Sequence, residues 1–287
     1  MGPVLETTSE GTSGGDAPSE AAALLTISDV SIGFGGLLAL DTVSMSVSDG
    51  EVVGVIGPNG AGKTTLFNVI SGFVHAQAGR ITYRGSPLRR HHPHDLAKLG
   101  IARTLQGIGL CRGLTVLENV MLGAEPVLRS DIGSSFLGIW RSSREERRTV
   151  ERAMAVLGEL GAASYAERYP EVLPYGIQKR TALARALMSS PRLLLLDEPA
   201  SGLSEGEMDA LGTQIRQLTE RMAVLLVEHH MDLVMSVCDR IVVLNFGQVI
   251  AEGPPAAIRA NPEVAVAYLG DEVYDEAPDE LDGDADA

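Results

Sequence analysis

Gly57-Pro58-Asn59-Gly60-Ala61-Gly62-Lys63-Thr64-Thr65 is the stretch on which the fold turns. It fits the pattern G-x-x-x-x-G-K-[ST], and its surroundings suit it. Val52-Val53-Gly54-Val55-Ile56 precedes it, a short continuous apolar run of the kind made by a strand covered on both faces. A helical stretch, Lys63 to Ser71, follows. The glycines let successive backbone N–H groups converge on a phosphate, and a helix N-terminus adds about half a positive charge there. In this pattern the lysine reaches the β- and γ-phosphates and the next hydroxyl ligates Mg²⁺, here Lys63 and Thr64. The competing reading is a chance glycine-rich turn before a helix, which the strand and helix in the right places disfavour.

A second element lies far downstream. Leu193-Leu194-Leu195-Leu196-Asp197-Glu198-Pro199 puts two acids at the C-terminal end of another apolar strand, where ligands bind in open α/β sheets. Asp197 suits a Mg²⁺ ligand, directly or through water, and Glu198 a general base for an attacking water. Taken alone, the pair also suits a helix N-cap. His229-His230 follows a third apolar strand, Val224–Val227. A histidine there suits a contact to a γ-phosphate, although a lone histidine is more often structural. His91, His92 and His94 have no cysteine or carboxylate set at ligand spacing, so a solvated loop is expected.

Outward from these motifs, strands and helices alternate, which implies an α/β core with a mainly parallel sheet. Leu24–Val30 and Val43–Val47 read as half-buried strands joined through Gly33-Phe34-Gly35-Gly36. Val116–Leu122 and Arg141–Leu160 read as helices, with a helical remainder to about Ser189, so residues 107–180 form a helical block set into the α/β core. Ile241–Ala251 reads as a hairpin turning at Gly247, and Asn261-Pro262 opens a last helix.

The net charge of −15 is concentrated at the ends. Residues 1–22 hold four acids, residues 271–287 hold nine, and neither stretch holds a base, leaving 25 acids against 23 bases between residues 23 and 270. Both ends are expected to be disordered acidic tails. Nothing in this distribution suggests nucleic-acid binding. No run of about 18 apolar residues exists to span a bilayer, and the acidic N-terminus is the reverse of a signal peptide. A reducing, cytoplasmic setting is expected, with Cys111 and Cys238 as packed thiols rather than a disulfide.

In this order the elements resemble the ATP-binding cassette (ABC) family over residues 24 to 270. Phe34 falls where that family stacks an aromatic ring on adenine. Gln106, in Arg103-Thr104-Leu105-Gln106, resembles the family's Q-loop glutamine, which implies a contact to Mg²⁺ or water. Leu173-Pro174-Tyr175-Gly176-Ile177-Gln178 occupies the place of the signature L-S-G-G-Q, Ala200–Ser204 that of the D-loop, and His229 that of the switch histidine. The finer resemblance is to ATP-binding subunits of the branched-chain amino acid transport type. It rests on Phe34-Gly35-Gly36-Leu37, Arg103-Thr104-Leu105-Gln106, Leu173-Pro174-Tyr175-Gly176, Glu228-His229-His230-Met231-Asp232-Leu233 and the final Asn261-Pro262-Glu263 to Gly270 segment.

The resemblance implies a P-loop NTPase of ABC type, with an inserted helical subdomain and an antiparallel β subdomain. Gly57 through Thr65, Phe34 and, across a dimer, Tyr175 and Gly176 would bind ATP; Thr64, Gln106 and Asp197 would hold Mg²⁺; Glu198, His229 and Gln106 would act in hydrolysis. The implied partners are a second ABC ATPase subunit, identical or not, two integral membrane permeases at the cytoplasmic face of the membrane, and an extracytoplasmic solute-binding protein. The implied role is ATP-driven import of branched-chain amino acids, with urea and short amides as alternative solutes. A soluble, non-transport ABC ATPase and a P-loop kinase fit less well. Pro174 replaces the signature serine, and Ser204 the usual D-loop Asp or Asn. Two readings follow: a working variant of the type, or a slow site in an asymmetric pair.

Overall fold

Val52–Ile56 forms β3, the centre of a six-stranded sheet ordered β10-β9-β3-β8-β7-β6. The other strands are β6 (Ile101–Arg103), β7 (Leu193–Asp197), β8 (Ala223–Val227), β9 (Arg240–Asn245) and β10 (Gln248–Gly253). All neighbouring pairs are parallel except β9–β10, the hairpin that ends the sheet. This computed structural model describes residues 23–104, 109–124 and 139–275. The expected tails at residues 1–22 and Gln106 fall outside them, as do residues 276–287; the last helix runs to Asp275.

Continuous apolar strands follow from burial on both faces. Along β3, β7 and β8 alternate side chains enter two different cores. Val52, Ile56, Leu194, Leu196, Val224 and Leu226 join one with the helices. Val53, Val55, Leu193, Leu195, Leu225 and Val227 join the other, closed by helix α1 (Lys63–Ile70) and a four-stranded antiparallel sheet. That second sheet has the order β2-β1-β4-β5, from β1 (Ala23–Phe34), β2 (Leu37–Ser48), β4 (Ala78–Tyr83) and β5 (Ser86–Pro87). The β1–β2 hairpin is longer than its sequence suggests. Gly33 and Phe34 stay paired and only Gly35-Gly36 turn, both at positive φ, while register shifts absorb the irregular pattern.

The helices on the first core are α3 (Val116–Met121), α4 (Ile139–Glu159), α5 (Tyr175–Leu187), α6 (Glu205–Leu218) and α7 (Met231–Val237). Short α2 (Leu96–Leu99) leads into β6, and α8 (Pro255–Arg259) and α9 (Pro262–Asp275) close the chain. The helical remainder expected to about Ser189 is interrupted before its last helix. Gly161 at φ +65° ends the run after α4, only 3₁₀ turns follow at Ala163–Tyr165 and Pro170–Val172, and α5 begins after Pro174. Among the described residues no helix is long and apolar enough to cross a membrane.

Two minor expectations are corrected. Cys238 is a buried free thiol, but Cys111 is an exposed one. His91 is buried at 9% exposure rather than solvated: its Nε2–H donates to the Ile70 carbonyl at 2.7 Å. Gly72 permits this, because a Cβ there would lie 2.4 Å from the His91 carbonyl oxygen.

Candidate active site

Three adjacent strands deliver the candidate residues to one edge. Val227 of β8 is in register with Val55 of β3 on one side and with Asp197 of β7 on the other. The next residues in the three strands' continuations are Ile56, Glu228 and Glu198. The glycine loop, His229 and the Asp197-Glu198 pair therefore leave the sheet side by side, at the carboxyl ends of parallel strands.

Backbone conformations that only glycine adopts without strain shape the loop. Gly57, Gly60 and Gly62 have φ of 149°, 78° and 103°. A Cβ on Gly57 would lie 2.0 Å from the Leu244 carbonyl oxygen, and one on Gly62 2.5 Å from that of Ala39. Gly62 caps α1 without a side chain, so no cap group competes for the first-turn N–H groups of Lys63, Thr64 and Thr65. Lys63 Nζ donates to the carbonyls of Gly57 and Pro58 at 2.7 and 2.8 Å, which folds the amine over the loop. Asn59, Gly60 and Thr64 are exposed, and Ala61 anchors the loop by accepting from Gly247 N–H at 3.0 Å. Phe34 is 52% exposed at the tip of the hairpin whose Ala39 touches the loop, a ring open to stacking.

Asp197 is buried, and its Oδ2 accepts from Arg103 Nη2 at 2.8 Å. Its oxygen chemistry and the Thr64 hydroxyl suit a hard cation such as Mg²⁺. Glu198 has φ of +47°, an uncommon conformation for a residue with a Cβ and a type that recurs at functional sites. His229 is exposed at 54% of its side chain, while Glu228 before it is buried. Burial would raise the Glu228 carboxyl, but hydrogen bonds from the His230 side chain and from backbone N–H groups outweigh it and hold it below the ordinary range. Glu228, His229 and His230 are the only three potential metal-ligating groups clustered among the described residues. The Glu228 oxygens are already committed, Oε1 to Ala200 N–H and Oε2 to His229 N–H, His230 N–H and His230 Nδ1–H, so hydrogen bonding accounts for the cluster.

Tyr175 and Gly176 open α5 against the 200–204 turn and α6. A Cβ on Gly202 would meet the Tyr175 ring at 3.0 Å, and one on Gly176 would lie 2.1 Å from Glu207 Oε1. Ser204 forms a capping box with Glu207: its hydroxyl and N–H both reach Glu207 Oε2, at 2.8 and 3.0 Å. Those bonds hold the Glu207 carboxyl below its ordinary range. Pro174 caps α5 without a side-chain hydrogen bond.

Arg103, Lys179 and Glu228 were not singled out by sequence reasoning. The only signal was their place inside the segments Arg103-Thr104-Leu105-Gln106, the signature region and Glu228-His229-His230, read there for other residues.

Known proteins resemble this chain in sequence and fold. A family model described as ABC transporter matches residues 40–201, and one for the branched-chain amino acid ATP-binding cassette transporter matches residues 248–274. The chain is 40% identical over 250 residues to the high-affinity branched-chain amino acid transport ATP-binding protein BraF of Pseudomonas aeruginosa, covering 86% of this chain and 98% of that one. It resembles the ADP conformation of MJ1267, an ATP-binding cassette of an ABC transporter, at TM-score 0.75 and 33% identity, over 86% of this chain and 99% of that one. A dimeric post-hydrolysis state of the cassette MJ0796 with ADP and Pi matches at TM-score 0.67 and 25% identity, over 80% and 98%.

Proposed function

The chain belongs to the ABC transporter ATP-binding proteins of the branched-chain amino acid type, and from that premise we propose that it powers import of branched-chain amino acids through separate permeases. It is an ABC ATPase, and what remains to assign is which residues do the work. The observation that carries the assignment is the register of β3, β8 and β7, which sets the glycine loop, His229 and Asp197-Glu198 along one edge.

The first-turn N–H groups of α1 and the Lys63 amine bind the β- and γ-phosphates. Lys63 exchanges the two loop carbonyls it now holds for phosphate oxygens, which keeps the amine satisfied in both states. Phe34 stacks on the adenine. Thr64, Asp197 and Gln106 would hold Mg²⁺, which would supply positive charge against the phosphates. Glu198 accepts a proton from the attacking water and His229 contacts the γ-phosphate. Tyr175 and Gly176 serve the ATP of the second ATPase subunit. Their helix N-terminus retains N–H groups for phosphate without a serine hydroxyl, which favours a working variant over a degenerate site. The permeases and an extracytoplasmic binding protein supply direction and solute choice, and the chain works at the cytoplasmic face of the membrane.

Glu198→Gln tests the chemistry. ATP affinity should stay within about twofold while turnover falls by about 10²- to 10⁴-fold; turnover near wild type removes Glu198 as the base. A Lys63→Ala allele in the host tests the solute: loss of leucine, isoleucine and valine uptake supports the proposal, whereas loss of urea or short-amide uptake moves it to another solute.

A further inference from the structure

The turn after Glu198 is gripped from both sides by side chains of other elements. Lys179, in the second turn of α5, donates through Nζ to the carbonyls of Glu198 and Pro199 at 3.1 and 2.9 Å. Glu228, just past β8, accepts the Ala200 N–H at 2.7 Å. The Pro199 carbonyl and the Ala200 N–H belong to one peptide group. That group is therefore held at its oxygen by a cation and at its nitrogen by an anion, both charge-assisted bonds of the stronger kind. Pro199 has no N–H, and the Glu198 N–H extends the sheet by donating to Val227 at 2.9 Å. The Glu198 N–H and carbonyl and the Pro199–Ala200 peptide are thus all hydrogen-bonded.

The gripping groups are themselves fixed. Glu228 is 1% exposed, and its second oxygen takes three N–H donors from His229 and His230. Lys179 has the Tyr175 ring 5.4 Å away and lies within the attraction of both the Glu228 and Glu198 carboxylates. Burial lowers its amine's pKa, and those two carboxylates oppose the shift. The conformation being held is one a side-chain-bearing residue does not favour, φ +47° at Glu198.

We propose that Lys179 and Glu228 are positioning residues that clamp the Pro199–Ala200 peptide and so aim the Glu198 carboxylate. The clamp rests on the reading of Glu198 as the base. It also joins three parts of the machine: Lys179 rides on the helix opened by Tyr175 and Gly176, and Glu228 is the residue before His229. A shift of α5 or of the His229 segment therefore reaches the base through one peptide group, without passing through the nucleotide.

The test is steady-state ATPase and equilibrium ATP binding on the full-length chain for Lys179→Met, Lys179→Arg, Glu228→Gln, the Lys179→Met/Glu228→Gln double variant and Glu198→Gln. Lys179→Met should lower kcat by about 10- to 100-fold, since a misplacement near 1 Å costs on that order. KM and ATP affinity should stay within about twofold, which also marks the protein as folded. Lys179→Arg, still able to donate to both carbonyls, should recover to within about fivefold of wild type. The double variant should be little slower than the slower single one, because either change already removes one of the two charged holds on the same peptide. Lys179→Met turnover within twofold of wild type, an arginine variant as slow as the methionine one, or losses that multiply in the double variant would each overturn the clamp. Should Glu198→Gln abolish turnover while Lys179→Met does not, the base stands and the clamp falls. An active Glu198→Gln removes both.

Discussion

Replacing Arg103 by methionine removes a charge from a place where it has few substitutes. The Arg103 side chain is 8% exposed and its partner Asp197 2% exposed. Nη1 also donates to Asn68 Oδ1 at 2.9 Å and Ser71 Oγ at 3.1 Å, and the guanidinium lies 5.6 and 5.5 Å from the Phe67 and Phe73 ring centres. Methionine keeps much of the apolar stem against those rings, so the change isolates the charge. Breaking a buried pair by deleting one partner costs about 3–5 kcal/mol, because the remaining charge is left uncompensated. In a fold of this size each kcal/mol moves Tm by about 2–4 °C, so the nucleotide-free variant should melt about 6–20 °C below wild type. Ligand should narrow the deficit. If Asp197 holds Mg²⁺, the ion returns the missing positive charge, and Mg-ATP should raise the variant's Tm by more than it raises wild type's. Thermal unfolding followed by circular dichroism, in EDTA and in saturating Mg-ATP, measures both. A drop of less than about 3 °C in EDTA refutes the energetic argument. An equal ligand increment in the two proteins refutes the assignment of Asp197 to the cation.

The two thiols should behave differently. Cys111 is exposed, whereas Cys238 is buried against Gly54, and burial first, then the neighbouring Asp239 charge, pushes its thiol up to about 12. A thiol reagent at pH 8 should modify one cysteine in the native protein and the second only on unfolding; two fast thiols would contradict the burial. Glu228 sets an acid limit. Its folded-state carboxyl lies below the ordinary 4.5, so its stabilising contribution is present above about pH 4.5 and is lost as pH falls through the lower folded value. Wild-type Tm should therefore fall more steeply below pH 4.5 than that of Glu228→Gln, and parallel curves would show that the carboxylate is not held as described.

Much of the site was legible locally because its chemistry is local. A phosphate loop needs glycines at positive φ, a lysine and a hydroxyl within nine consecutive residues, and Gly57 to Thr65 supply them in order. The strands before it and before Asp197 announce themselves because strands covered on both faces have no polar side to show. What the chain sequence by itself determined is therefore the strands and helix that carry the nucleotide motifs, the nucleotide chemistry and, through motif order, the family. The tertiary structure alone decided which elements are neighbours. Nothing within β8 says that it lies between β3 and β7, since pairing in a parallel sheet joins residues far apart in the chain. The same non-locality hid Arg103, Lys179 and Glu228. An arginine at a strand end, a lysine on a helix or a glutamate beside a histidine reads as a solvated group until the fold brings against it a carboxylate 94 residues away, in the first case, or a turn 19 to 28 residues away, in the others. Cys111 and His91 make the converse point: burial is a property of what packs over a residue, and a loop's own composition does not contain that.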